Sequence, residues 1–271
     1  MGVSNLDGVA RGYSRRSAAG GDLADAVPGS LCGVLKVTRD GDVVVLELQR
    51  EERRNALNLE LCERIHAAVD EAVDAGARAV VITGQGSVFC SGADLGGVYG
   101  PEFLEALYGM LHRLAQAPLP IIAAVNGPAI GAGTQLAIAC DLRVADETAQ
   151  FAVPTAKNGM AVDAWTIRTL AALAGTGRAR RVMLAAEAVR RDEALQCGLA
   201  DRAGTLDDAI AWAHEIAALA PLTVGYNKLV LNGFADDAQI QESFGAVWAS
   251  RDVREAAEAR AEKRPPVFEG R

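Results

Sequence analysis

The chain has 271 residues, half of them apolar, and a formal net charge of −8. That length allows one domain with an appendage, or two domains, with apolar surface enough for a full core. No apolar run approaches the about 18–20 residues of a membrane-spanning helix, and an acidic balance without a Lys/Arg cluster disfavours nucleic acid, though not an anionic ligand held by a local basic rim.

Residues 1–32 are rich in Gly, Ala, Ser and Asp and show no sustained period. Arg11, Arg15 and Arg16 are not followed by an apolar stretch, so this segment reads as a loose extension or a misassigned start rather than a signal peptide. Order is expected from Gly33. Val34 to Val37 and Val43 to Leu48 are strand-like around an Asp40-Gly41 turn. Asn58 is placed to cap a helix whose apolar face runs Leu61, Ile65, Val69 and Val73 and which ends before Gly76. Ala79 to Thr83 reads as a buried strand, followed by a loop from Gly84 to Gly97 that carries five glycines. Leu104 to Leu114 reads as a helix and Ile121 to Val125 as a strand. A Gly-rich turn over Asn126 to Gln135 then leads into a helical run, Leu136 to Cys140, and a further strand near Leu142 to Val144.

From Asp192 onward the pattern is nearly all helix, around 192–197, 205–219, 223–232, 237–249 and 251–263. The expected architecture is α/β layering with crossover connections over residues 33–200 and a helical C-terminal region over 201–271.

Two Gly-bearing turns follow strands, Phe89-Cys-Ser-Gly-Ala-Asp-Leu95 and Gly131-Ala-Gly-Thr-Gln135. A strand feeding such a turn and then a helix aims backbone N–H groups and a helix dipole at whatever sits in the turn. Small residues let backbone reach a ligand, and two convergent N–H donors make an oxyanion hole. Either turn alone is more often an ordinary turn. Gln135, where such sites often place a carboxylate, can hydrogen-bond but cannot take or give a proton near pH 7.

The two turns, together with Asn55-Ala-Leu57, Ala123-Ala-Val-Asn-Gly127 through Gln135-Leu-Ala137, Cys140-Asp141, Phe151-Ala-Val-Pro154 and Glu262-Lys-Arg-Pro265, resemble the crotonase superfamily of enoyl-CoA hydratases and isomerases. The resemblance covers about residues 34–270. It implies a crotonase-like ββα spiral core with a helical C-terminal trimerisation region, and trimers or dimers of trimers. It makes the N–H groups of Ala93 and Ala132 the oxyanion donors for the thioester oxygen of an acyl-CoA, which is a ligand; no cofactor or metal is implied. Ala56 and the backbone of Ala93, Asp94 and Leu95 would run along the adenine and pantetheine. Lys263 would reach CoA on a neighbouring subunit. Arg260 stands where the family often has an aromatic residue, and Gly96-Gly97 where many members have a Lys, which takes away one phosphate contact.

The departures bear on mechanism. Hydratases of this family use two glutamates, and here Gln135 and Thr155 occupy their positions. Each general acid or base is typically worth ~10²–10⁴-fold, so efficient hydration is not expected. One carboxylate remains: Asp163 falls where some related isomerases and dehalogenases place a catalytic Asp, and it is equally placed to be the N-cap of the helix that follows. Trp165 and Ile167 replace small residues; Trp165 would narrow the acyl pocket or simply pack in the core. The pattern most resembles a mycobacterial hydratase-like group, which implies acyl-CoA capture in fatty-acid metabolism, mycolic acids included. The alternative is an active double-bond isomerase, or weak hydratase or hydrolase, using Asp163 and the oxyanion hole. A scaffold with a vestigial pocket is disfavoured, because a dead pocket has no steric need for Ala93 and Ala132.

The remaining candidates are weaker. Cys32, Cys62, Cys90, Cys140 and Cys197 are widely spaced, with no metal-ligand spacing, and read as buried thiols of a reducing, cytoplasmic compartment. His66, His112 and His214 lie on expected helices without ligand spacing and read as solvated or packed. Ser91 has no obvious base, and Arg178 to Arg181 reads as a solvated helix face.

Overall fold

A computed structural model describes residues 33–94, 96 and 100–271, and these belong to one compact unit. The expectation for residues 1–32 and the expected role of Leu95 lie outside the described residues. In chain order the elements are β1 (Leu35–Asp40), β2 (Val43–Leu48), α1 (Leu59–Asp74), β3 (Ala79–Gly84), α2 (Pro101–Gln116), β4 (Ile121–Val125), β5 (Pro128–Ile130), α3 (Ala132–Ala139), β6 (Leu142–Ala145), β7 (Gln150–Ala152), α4 (Ala164–Ala174), α5 (Thr176–Leu184), β8 (Ala188–Arg190), α6 (Arg191–Cys197), β9 (Arg202–Ala203), α7 (Leu206–Ala217), α8 (Pro221–Asn232), α9 (Asp237–Ala249) and α10 (Arg251–Glu262).

The strands form two sheets. The larger has the order β1-β2-β3-β4-β6-β9, antiparallel at β1/β2 and parallel elsewhere; the smaller has the order β5-β7-β8. The continuous apolar runs of β3 and β4 follow from burial on both faces, the usual state of parallel strands. Period-2 alternation divides them. Val80, Ile82, Ile121 and Ala123 face the main core with Leu61, Ile65 and Val69 of α1 and Phe103, Leu107 and Leu111 of α2. Val81, Ile122 and Val144 face the other way, against Ala209, Ala213 and Ala217 of α7. Thus β9 and α7 join the sheet, and only α8 to α10 stand as a helical extension.

The structure departs from the sequence reading at the Gly-rich turn. Between β4 and α3 the chain does not simply turn; it first builds β5, which leaves the large sheet and opens the small one with β7 and β8. Gly127 permits this switch: a Cβ there would fall 2.1 Å from the Ser87 carbonyl oxygen.

The extension is tied down through one buried cation. Lys228 of α8, only 6% exposed, lies 2.7 Å from the Asp141 carboxylate and donates to the Leu114 and Leu119 carbonyls at 2.9 Å each. Asp141 also accepts from the Ile121 N–H at the start of β4, at 2.8 Å. Further out, α8 and α9 expose Leu231, Phe244 and Trp248.

Candidate functional site

Two asparagines, buried Asn55 and half-buried Asn126, sew the Gly-rich loop to the scaffold. Asn55, at φ 55°, accepts from the Arg50 N–H at 3.1 Å and donates to the Gln85 and Val88 carbonyls at 2.9 and 2.7 Å. Asparagine tolerates this left-handed conformation better than most residues. The Asn126 amide donates to the Gly84 and Gly86 carbonyls at 2.8 Å each.

Beyond them the first turn is pinned on two sides. The Leu57 N–H donates to the Gly92 carbonyl, and the Asp94 N–H to the Leu57 carbonyl, both at 2.8 Å. In this parallel bridge the N–H of Ala93 faces away from Leu57. On the other side Cys90 bridges Ala129 of β5: its N–H donates to the Pro128 carbonyl at 3.1 Å, and its carbonyl accepts from the Ile130 N–H at 2.9 Å.

The second turn packs directly on the first. A Cβ on Gly133 would sit 2.1 Å from the Cys90 carbonyl oxygen, and one on Gly92, at φ 105°, would sit 3.6 Å from the Ala132 nitrogen. Ala132 opens α3, so its N–H has no acceptor within the helix. Among the described residues, neither the Ala93 nor the Ala132 N–H donates to a carbonyl. Thr134 locks the arrangement. Its hydroxyl lies 2.6 and 2.9 Å from the Ala129 and Ala152 carbonyls and accepts from the Ala152 N–H at 3.1 Å. All eight residues of α3 are buried, so its positive dipole end is little screened by water.

The side chains beyond α3 form a second group. Buried Gln135 donates its Nε2 to the Thr166 hydroxyl at 2.9 Å. Thr155 stands half-buried in the 3₁₀ turn Pro154–Asn158, just past the end of β7. β5 and β7 run parallel with Ile130 opposite Ala152, so Ala132 and Thr155 both leave the same end of the small sheet. Asp163 is the N-cap of α4: its Oδ1 accepts from the Thr166 N–H at 3.1 Å. Its N–H donates to the Tyr108 hydroxyl at 3.2 Å, and its Oδ2 lies 3.9 Å from His112 Nε2. Trp165 packs on the main core while remaining half-buried, edge-on to His112 at 5.6 Å and 6.2 Å from the Phe234 ring.

The residues expected to lie along CoA are placed less tightly together. Ala56 is buried next to Leu57. The Asp94 carboxylate accepts from Arg50 at 2.9 Å, while Arg50 also donates to the Ala56 carbonyl. The Arg50 hydrogen bond, helped by the Gly96 N–H, holds the Asp94 carboxyl below the usual carboxylate range. Asp94 therefore fixes its turn as an anion. Lys263 is the exposed C-cap of α10 at φ 56°, and among the described residues it forms no ion pair.

Other candidates resolve into structure. Burial pushes the Cys90 thiol up to about 12, as it does Cys62 and Cys140, so none is a ready thiolate. Arg178 and Arg181 pair with Glu193. His214 pairs with Asp40, and His66 with Asp70. The sequence reading missed Tyr108, Thr166, Phe234 and the association of His112 with Asp163. Tyr108 and His112 are four residues apart and share a helix face, and Asp163-x-x-Thr166 is a capping spacing; both signals were present but needed the fold to acquire meaning.

A mixed α/β fold with two Gly-bearing turns packed on each other and a helical tail defines a class, the crotonase fold. The chain belongs to the Enoyl-CoA hydratase/isomerase family, which matches residues 38–271. It is 48% identical over 245 residues to the probable enoyl-CoA hydratase echA6 of Mycobacterium tuberculosis, across 88% of this chain and 100% of that protein. It is 31% identical over 244 residues to the short-chain-enoyl-CoA hydratase of Clostridium acetobutylicum, across 83% and 94% of the two chains. The crystal structure of an enoyl-CoA hydratase from Bacillus anthracis superposes with a TM-score of 0.79 at 29% identity, over 88% of this chain and 100% of that one. No helix among the described residues is long and apolar enough to cross a membrane.

Proposed function

We propose that this family member captures acyl-CoA and has lost efficient hydration. The observation that carries the reading is the contrast at α3. The N–H groups of Ala93 and Ala132 are uncommitted to any described carbonyl, while Gln135 three residues on is held by Thr166. A thioester oxygen fits between such donors, and their polarisation of it requires no side chain. Adding water needs a proton acceptor and a donor. An amide and a hydroxyl supply neither near neutral pH.

Ala56, Asp94 and Leu95 would flank the CoA moiety, with Lys263 serving a site on another copy. The bare apolar side chains of α8 and α9 support assembly into trimers or dimers of trimers, because large exposed apolar residues in proximity mark contact surfaces. The long-chain ligand, the link to fatty-acid and mycolic-acid metabolism, and the cytoplasmic location belong to the same proposal.

Calorimetry with acyl-CoAs of several chain lengths, run beside a crotonyl-CoA hydration assay, tests it. Binding without turnover is expected. Rapid hydration, or no binding at any chain length, overturns it. The second reading, a double-bond isomerase, draws on Asp163: one oxygen caps α4 while the carboxylate keeps a quarter of its surface exposed. A Δ3/Δ2-enoyl-CoA assay separates the two, since turnover abolished by Asp163→Asn would favour the isomerase.

A further inference from the structure

Beside Asp163 stands a group that the proposed function leaves unused. His112 Nε2 is buried and, among the described residues, has no hydrogen-bond partner. A buried ring nitrogen without a partner loses its hydration for nothing in return, and native structures rarely leave one so. The Asp163 carboxylate faces it, with Oδ2 at 3.9 Å, about an ångström beyond hydrogen-bond distance.

The surroundings favour closure of that gap. Tyr108, Trp165 and Phe234 stand around the imidazole at centroid distances of 6.5, 5.6 and 5.4 Å, and aromatic rings stabilise a cation among them. From α2, the imidazole's own helix, Tyr108 faces it. From α4 come Asp163 and Trp165. The connection after α8 contributes Phe234, which also walls a cavity of about 200 Å³ at the end of α2. Among the described residues, Asp163 is the one charged group within ion-pair distance of His112.

We propose that His112 is a positioning residue that closes on the Asp163 carboxylate when an acyl-CoA enters, so that the pair takes up a proton on ligand capture. This rests on the acyl-CoA reading. An acyl chain laid over Trp165 would strip water from a carboxylate that is now a quarter exposed. An unpaired carboxylate under hydrocarbon is costly, so either His112 becomes imidazolium or the carboxyl itself is protonated. Both routes carry the same sign. The helix cap and the proton role use different oxygens, so Oδ1 keeps its bond to the Thr166 N–H while Oδ2 pairs with His112.

The sign fixes the pH profile. Affinity gained by proton uptake is fully present on the acid side and is lost as pH rises through the range in which an imidazole titrates. The experiment is calorimetry of decanoyl-CoA binding in two buffers of different ionisation enthalpy, across that range, on the wild type, His112→Gln and Asp163→Asn. Asn still caps a helix and Gln is a good helix former, so both variants should fold.

Wild type should take up a sizeable fraction of a proton and bind several-fold more weakly at the alkaline end. Asp163→Asn should abolish the uptake, and His112→Gln should remove the pH dependence from the imidazole range. Uptake unchanged in His112→Gln, or binding by wild type with no uptake, overturns the pair. Should decanoyl-CoA not bind at all, the acyl-CoA reading fails on its own. Spectra of ¹⁵N-histidine-labelled free protein then decide the pair, because the chain has only three histidines to assign. Asp163→Asn should move the His112 Nε2 resonance and leave those of His66 and His214 in place; an unmoved resonance overturns it.

Discussion

The two halves of the site are built by opposite means. In the turns around Gly92 and Gly131, backbone atoms do the work. Asn55, Asn126 and Thr134 are almost entirely buried or fully bonded, and a Cβ at Gly133 has nowhere to go. Across the small sheet, the segment from Thr155 to Trp165 is half-exposed and presents its chemistry on side chains. In the proposed function the first half would polarise a carbonyl through backbone donors, and a side chain that crowds it, as at Gly133, strains the fold. The second half would carry any proton chemistry on side chains, which single substitutions can add or remove.

The largest effect that could break this contrast is steric. Gly133→Ala presses a methyl group into the Cys90 carbonyl, and overpacking against backbone should destabilise the protein by about 3 kcal/mol. Chemical denaturation measures this, and a change well under 1 kcal/mol would show that the turns are looser than drawn. Second comes the editable half. Gln135→Glu with Thr155→Glu should bring hydration of crotonyl-CoA up by at least about 10²-fold. The Thr166 hydroxyl can reverse its role and donate to the new carboxylate. If turnover stays absent while acyl-CoA still binds, lost carboxylates are not the whole account.

Ala132→Pro is a finer probe. The first position of a helix accepts proline, so the melting temperature should hold while the proposed oxyanion donor disappears. Acyl-CoA affinity should drop about tenfold, the worth of one good hydrogen bond. Smallest is an effect of acid at the far end of the chain. The Arg264 guanidinium, with the Val267 N–H, holds the Glu255 carboxyl down at about 2. Its folded value lies below the free one, so its contribution is intact above the ordinary range of about 4.3 and is lost as pH falls through about 2. Amide exchange at Val267 should quicken over that window while the turns around Gly92 stay protected.

Much of the large sheet was legible in the sequence, because β3 and β4 are long apolar runs and α1 and α2 carry an unbroken 3.6-residue period. The small sheet was not. β5, β7 and β8 are three residues each, too short for alternation to register, and β5 begins with a proline that argues against a strand. The proposed pairing of the Ala93 and Ala132 N–H groups rests on motif resemblance, since backbone donors leave no side-chain signature beyond the small residues around them. His112 was read as a solvated or packed histidine. Its proximity to Asp163 depends on how α2 packs against the start of α4, and no periodicity along either helix encodes that.

The contact between Lys228 and Asp141 has a consequence for populations. Asp141 lies directly after α3 and holds the first amide of β4 as well as the ammonium of α8. For α8 to swing away, Lys228 must give up the Asp141 carboxylate and the Leu114 and Leu119 carbonyls together, at about 3 kcal/mol or more. Fewer than about one molecule in a hundred would then have the helical arm undocked at any moment. A second copy meeting the arm would therefore encounter one conformation, already held against the start of β4.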